Sequence, residues 1–415
     1  MEIKIKKGLD IPLSGQPSGE LRSLPLPTQL ALDLSPFETI RFKILKKEGE
    51  SVKLGEPLAQ DKNCPKRLFV SPASGTLKSI IRGIKRRPLS LVVETDQKQV
   101  SDERKKETIF EAGLAPHIQM RPGLRMAHPD LKPEAIFVKA IESAPYAPPP
   151  EFQLKGYETD FSIGLDVLKE MAPVHLICRS GFEGLNVHVH QASGPHPIGN
   201  PSVHIAAIHP ITRPDQVIWT LNIVDVIAIG RWKREGVYHA ERVISVAGEQ
   251  GGFYQAYAGY PLKALILGDR VLSGDPLMGV EAEFLGFYHH TVCAMNLPKP
   301  KREFLHFLKL KRKGYTASKA YFFRKKIASL IPMMHGEQRA FVDGEIYNRV
   351  MPLPIETMPL IKMLLTEEYE KGEALGLLGV HPEDFALPTF VCPSKIEMTE
   401  IVKEGLKAYT KQYLD

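Results

Sequence analysis

The chain has 415 residues, 43% of them hydrophobic and 25% charged, the proportions of an ordinary soluble globular protein. At about 150 residues per domain, the length allows two to four domains with sizeable cores. Lys and Arg number 54 against 48 Asp and Glu, and the resulting net charge of +6 is too mild to indicate a dedicated nucleic-acid binder. The four cysteines, Cys64, Cys178, Cys293 and Cys392, are too dispersed for a disulfide scaffold, a local zinc ribbon or an iron–sulfur cassette. They point to a reducing compartment. The start, Met1 to Gly8, alternates and has no apolar stretch of signal-peptide length. No run reaches the roughly 18 apolar residues of a membrane span, so no transmembrane helix is expected. The longest apolar candidate, Val217 to Gly230, contains Asn222 and Asp225 and reads as a buried strand.

In chain order, residues 1–100 are strand-like. Ile40 to Leu45 alternates, Lys46 to Glu50 forms a turn, and Val52, Gly55, Pro57 and Leu58 follow. Leu68-Phe69-Val70, Ser71-Pro72-Ala73-Ser74-Gly75, Thr76 to Gly83 and Leu89 to Glu94 complete the unit. Short strands broken by Gly and Pro every 8–12 residues indicate a small all-β domain. Their order resembles the biotinyl/lipoyl carrier domain, a flattened barrel-sandwich. That resemblance would put a modified lysine at Asp61-Lys62. Asn63 to Arg67 follow before the next strand, however, which makes a long loop where a carrier needs a tight hairpin.

Residues 101–257 open with a charged stretch and then alternate apolar runs with helix-length segments. Ala135 to Ala140, Val174 to Cys178, Val203 to Ile208 and Val243 to Gly248 read as strands of a parallel sheet, so a Rossmann-like α/β domain is expected. Neither G-x-G-x-x-G nor G-x-x-x-x-G-K-[ST] occurs, which argues against standard dinucleotide or P-loop binding. Residues 258–335 return to short strands, Ala264 to Leu267, Val271 to Ser273 and Phe284 to Tyr288, consistent with a small β-grasp domain. Residues 336–415 hold helical segments, Glu356 to Thr366, Glu367 to Leu378 and Lys395 to Tyr413, punctuated by Gly379 and Pro393. The whole reads as an α+β multidomain chain: barrel-sandwich, Rossmann-like domain, β-grasp domain and helical C-terminal region.

The densest polar cluster is Asn186 to Asn200. His188 and His190 would share one side of a strand, and His196 or His204 could complete a three-imidazole metal site. No carboxylate suited to general-base work stands nearby. The loop Gly194 to Gly199 leads toward a strand and makes a poor phosphate cradle. A second feature is the basic run Lys299-Pro300-Lys301-Arg302 and Lys309-Leu310-Lys311-Arg312-Lys313, interleaved with Phe304, Leu305, Phe307 and Leu308. Basic residues around an apolar stripe suit an anionic membrane surface or a membrane-embedded partner.

Six blocks, in order, resemble the NqrA family of the sodium-translocating NADH:quinone reductase. They are Ile5-Lys6-Lys7-Gly8-Leu9-Asp10-Ile11-Pro12-Leu13, Ser71 to Thr76 with Arg82 to Arg86, Ser193-Gly194-Pro195-His196-Pro197 with Gly199 and His204-Ile205, Leu285-Gly286-Phe287-Tyr288-His289, His335 to Ala340 with Arg349 to Ile355, and Glu383 to Lys395. The resemblance implies a peripheral subunit on the cytoplasmic face of the bacterial inner membrane, with five partner subunits. NAD, flavins and an iron–sulfur centre would sit in those partners. This chain would bind no cofactor of its own and would be associated with the reduction of ubiquinone while the complex exports sodium. The family is similar to the flavin-binding subunit of respiratory complex I, whose cluster-holding cysteines are grouped as those here are not. Under this reading a quinone headgroup needs an apolar slot and one or two donors, expected at His196, His204, Gly194 and Gly199. Docking to the membrane partner is expected at Lys309, Lys311, Arg312 and Lys313. Two readings stay open beside it: a metal-dependent enzyme built on His188, His190 and His196, and a carrier protein bearing a group on Lys62.

Overall fold

Two of the runs expected as parallel strands, Ala135–Ala140 and Val174–Cys178, lie side by side in a seven-stranded sheet. The computed structural model describes residues 1–182, 184–248, 251–266, 268, 270–295, 301–302, 333–334 and 339–414. Across the sheet the strand order is Glu2–Lys4, His188–Ser193, Val174–Cys178, Ala135–Ala140, Ile218–Asn222, Gln119–Arg121 and Arg125–Met126. The first five strands are mutually parallel, and the last two form an antiparallel hairpin on the edge. Alternation along Ala135–Ala140 sends Ile136 and Val138 to one core and Ala135 and Phe137 to another, as a strand covered on both faces requires. The first core is closed by helices Glu158–Lys169 and Ile223–Glu235. The second is closed by Pro201–Ile208 and the C-terminal helices Thr357–Leu365 and Met398–Tyr409.

Two expected strands are corrected. Val203 to Ile208 is helical, because Asn200 occupies the N-cap position and Pro201 the first turn of Pro201–Ile208, the place where proline is tolerated best. The loop Gly194 to Gly199 therefore opens a helix. Val217 to Gly230 divides at Asn222: the strand ends there, and the Asp225 carboxylate accepts the Asn222 backbone N–H at 2.9 Å to start Ile223–Glu235, a capping interaction.

The barrel-sandwich consists of Gln29–Asp33, Ser51–Val52, Gly75–Arg82 and Pro88–Thr95 in one sheet and Phe42–Ile44, Pro57–Asp61 and Leu68–Val70 in the other. The segments before it belong elsewhere. Glu2–Lys4 extends the central sheet, and Leu21–Ser23 pairs with Gly252–Tyr257. A third, mixed sheet has the order Val280–Glu281, Arg270–Ser273, Thr291–Met295, Glu241–Val246, Gly252–Tyr257, Leu21–Ser23. Val243 to Gly248 thus sits mainly in the third sheet and not in the α/β layer. A short apolar run looks the same in either setting. Ala264 to Leu267 and Phe284 to Tyr288 are not strands where described. The first enters a 3-10 turn, Leu262–Ala264, and the second is a turn region touching Pro261 through a single bridge at Phe284. The barrel shares its core with this sheet: the Phe37 ring meets Phe69 at 4.9 Å and Phe287 at 5.1 Å.

Candidate functional site

Of the four parallel strands between residues 135 and 222, the chain makes Ala135–Ala140 first, places Val174–Cys178 and His188–Ser193 to one side, and then crosses to lay Ile218–Asn222 on the other. Open parallel sheets bind ligands outside the carboxyl ends of their strands at such a switch point. A cleft of about 690 Å³ lies there. Lys139, Glu142 and Ser143 line it from the end of the first strand, Asn222 from the end of the fourth, and His196, Gly199 and Asn200 from the loop after His188–Ser193. The barrel contributes Phe37 and Ile40, the third sheet Asp275, Leu277, Met278 and His289, and the C-terminal region Glu383 and Lys403. All four units therefore meet at one cleft with mixed apolar and polar walls.

The cleft's lysine and arginine at the sheet end, Lys139 and Arg121, are paired with carboxylates. Lys139 Nζ contacts Glu142 at 3.0 Å. Burial would lower its pKa, but the charges of Glu142 and Glu383 outweigh burial and raise it, so this lysine stays cationic. Arg121, buried, reaches Glu383 and Ser202 at 3.4 Å each. Burial pushes the Asp275 carboxyl up to about 6, against the stabilising N–H groups of Leu277 and Met278. Asp275 can thus take up or release a proton near neutral pH.

His196 and Gly199 face one another across Ser143. The Ser143 hydroxyl lies 2.9 Å from His196 Nδ1 and accepts the Gly199 N–H at 2.8 Å. Burial holds the His196 imidazole down at about 4, with Asp10 opposing and Lys139 assisting, so it is neutral at pH 7 and can donate one N–H. The other two expected residues, His204 and Gly194, do not line the cleft. His204 donates Nε2–H to the Ile198 carbonyl at 2.7 Å and ties down the loop. Gly194, at φ 140°, is where the loop meets the N-terminal strand, and a Cβ there would lie 2.5 Å from the Ile5 carbonyl oxygen.

The remaining expectations fall elsewhere. His188 and His190 meet His175, not His196: His175 Nδ1 is 3.0 Å from His190 Nε2, and His188 stacks on His175. Among the described residues no group of three His, Cys, Asp or Glu side chains is placed to hold a metal ion. The set His188, His190 and His196 is split because the strand ends at Ser193 and the chain turns away through Gly194. Lys62 is exposed in the loop between Pro57–Asp61 and Leu68–Val70, whose base is closed by Asp61 with Arg67 at 3.2 Å. Lys309, Lys311, Arg312 and Lys313 lie outside the described residues. Sequence reasoning missed Asp275, His289 and Lys139. The second of these stood in the block Leu285 to His289, and its neighbouring glycine was the available signal.

These features define a multidomain α+β protein with a cleft at the switch point of its parallel sheet. No helix among the described residues is long and apolar enough to cross a membrane. Residues 3–96 match the family described as the NqrA N-terminal barrel-sandwich hybrid domain, and residues 100–238 match the NqrA second alpha/beta domain. The chain is 32% identical to the NqrA protein of the Na(+)-translocating NADH-quinone reductase from Chlamydia pneumoniae, over 99% of this chain and 98% of that protein. It is 31% identical to the proteins of the same name from Neisseria gonorrhoeae (strain FA 1090), over 99% and 100%, and Yersinia pestis bv. Antiqua (strain Angola), over 97% and 98%. The chain belongs to the NqrA family of Na(+)-translocating NADH-quinone reductase subunits.

Proposed function

We propose that this chain is a peripheral subunit on the cytoplasmic face of a sodium-exporting NADH:quinone reductase and that its switch-point cleft takes the quinone headgroup. The carrying observation is the identity of 31–32% that runs through essentially the full length of both chains. Reducing a quinone to a quinol takes two electrons and two protons. The electrons come from redox groups of the partner subunits, which number five in this reading, and this chain adds no cofactor of its own. His196 donates to one carbonyl oxygen, and Asp275 is placed to exchange a proton with the cleft. The apolar wall of Phe37, Ile40, Leu277 and Met278 suits the ring. Residues 258–335 are read as a β-grasp unit, supported by Arg270–Ser273 and Thr291–Met295 pairing antiparallel in the third sheet.

The docking surface in this proposal is the basic run Lys309, Lys311, Arg312 and Lys313, where each charge near an anionic surface contributes about 1 kcal/mol. Purification of the tagged chain from membranes is expected to bring down the other subunits. Changing those four residues to Glu should weaken that recovery, most at low salt. Recovery of the chain alone, without partners, would refute membership of the assembled complex. In the assembled complex His196→Ala should raise the quinone KM while leaving NADH oxidation by ferricyanide intact. Unchanged quinone kinetics would remove the cleft from the reaction.

A further inference from the structure

We propose that His289 is a second hydrogen-bond donor of the cleft, paired with His196, so that a flat ring with two carbonyl oxygens is recognised by two neutral imidazole N–H groups. The proposal rests on the quinone reading above and extends it to a residue outside the α/β domain.

The observation is a repeated local arrangement. In the α/β layer, Ser143 Oγ lies 2.9 Å from His196 Nδ1 and accepts the Gly199 N–H at 2.8 Å. In the third sheet, Ser273 Oγ lies 2.9 Å from His289 Nδ1 and accepts the Gly286 N–H at 2.8 Å. The two units share neither strand nor sheet, yet both histidines line the same cleft. Each glycine is needed where it stands. A Cβ on Gly199 would lie 2.8 Å from Ser143 Oγ, and one on Gly286 would lie 2.5 Å from His289 Nδ1.

The hydrogen bonds fix the tautomer. A serine hydroxyl has one hydrogen to give. Among the described residues, neither Ser143 nor Ser273 has an acceptor for it other than the histidine Nδ1. Each hydroxyl therefore donates to Nδ1, and the ring proton resides on Nε2. Neither Nε2 has a protein partner among the described residues, and both histidines line the cleft. Burial also lowers the His289 pKa, with Asp33 opposing and Arg242 assisting, which keeps this ring neutral like that of His196. Two neutral donors suit neutral carbonyl oxygens, while an anionic ligand would be served better by the lysine and arginine that the cleft already pairs with carboxylates.

The test uses the assembled complex with a short-chain ubiquinone as substrate and NADH-to-ferricyanide activity as the integrity control. His289→Ala and His196→Ala should each raise the quinone KM by roughly fivefold, the effect of one lost net hydrogen bond, and the double variant by about the product. Ser273→Ala, which releases the His289 ring and the Gly286 N–H together without removing the donor, should raise KM in the same direction. His289→Gln, which keeps an N–H donor, should restore most of the affinity and also serves if the alanine variant fails to assemble. A KM raised by His196→Ala but unmoved by His289→Ala would overturn the second donor and leave the quinone reading standing. A KM unmoved by both would overturn both. A fall in ferricyanide activity that parallels the quinone effect would make His289 a structural residue and overturn the proposal.

Discussion

In the cleft, His196 and His289 each rest one ring nitrogen on a serine and leave the other free, whereas toward one edge of the central sheet, on its second and third strands, His175, His188 and His190 rest on one another. The edge group is the denser. His175 Nδ1 and His190 Nε2 are 3.0 Å apart, and His175 stacks on His188 with ring centroids 5.3 Å apart. Two ring nitrogens that close can share only one proton, so the stack resists charging. Burial, followed by the charges His190 and His188 would carry, takes His175 down to about 4. Among the described residues no oxygen sets the tautomer of that pair, and His190 Nδ1 is buried without a partner. What holds each ring decides which hydrogen-bonding group it can offer. A held ring presents a defined donor, while a stacked one presents none.

The largest effect is expected where an imidazole is held on both sides. His117 places Nδ1 2.8 Å from Asp225 and Nε2 2.9 Å from the Tyr238 hydroxyl, all three buried. Asp225→Ala should strand the ring and also remove the helix-starting bond to Asn222. The expected loss is about 3 kcal/mol or more, read as a lower midpoint in urea unfolding. A loss under about 1 kcal/mol would break the contrast between held and stacked rings.

Next in size is the pH dependence of His204. Burial takes its pKa down to about 4, against the favourable bond to Ile198. The unfolded chain has a histidine near 6.5, so between 6.5 and about 4 it binds more protons than the folded chain. Stability from this group is therefore present above about pH 6.5 and falls with pH at about 1.4 kcal/mol per unit. His204→Gln keeps a donor for Ile198 and removes the titration. Between pH 6.5 and 5 the parent protein should lose about 2 kcal/mol more than the variant. Measuring against the variant cancels the opposing trend of Asp275 and Asp384, whose carboxyls burial raises to about 6. Parallel pH profiles for the two proteins would mean that His204 is not held neutral.

A smaller effect is expected at the cleft's rim. Glu38, between the barrel's strands, receives Lys403 at 2.6 Å and Lys407 at 2.8 Å from helix Met398–Tyr409. Burial acts to raise the Glu38 pKa, but the hydrogen bonds and charges of the two lysines lower it overall. Its contribution is therefore present above the ordinary glutamate range and is lost on acidification. Glu38→Gln should cost about 1 kcal/mol at low salt and less at high salt, where exposed pairs are screened. A loss that does not change with salt would point to packing instead of charge.

How far the sequence revealed this arrangement depended on the range over which each signal acts. The barrel's strands and the C-terminal helices Thr357–Leu365 and Met398–Tyr409 were legible because glycine turns and helical spacing are local. His196 and Gly199 were legible because they lie in one loop. Leu21–Ser23 was not, because its partner is Gly252–Tyr257, and pairing across more than two hundred residues leaves no local mark. Ile223–Glu235 was hidden because its first turns are apolar almost all round, although Asn222 and Asp225 carried the cap signal. The His204 Nε2 is bonded to the Ile198 carbonyl, and His289 comes to the cleft from another sheet. Spacing in sequence records neither event.

The smallest effect is expected at His188, and there a near-zero result is informative. His188 is exposed, and its one described ring contact is the stack on His175. Removing it leaves the His175–His190 bond and every cleft contact in place. His188→Ala should shift stability by less than about 0.5 kcal/mol, as surface changes usually do, and leave the quinone KM unchanged in the assembled complex. It should slightly ease protonation of His175, because one like charge is gone, while the burial that dominates that shift remains. The His175 titration, followed by proton NMR of the ring, should therefore move upward but stay below the ordinary histidine value. A large rise in quinone KM with His188→Ala would give the edge stack a role at the ligand and erase the distinction from the serine-held rings. A fall in stability beyond about 1 kcal/mol would show instead that the stacked rings support the sheet.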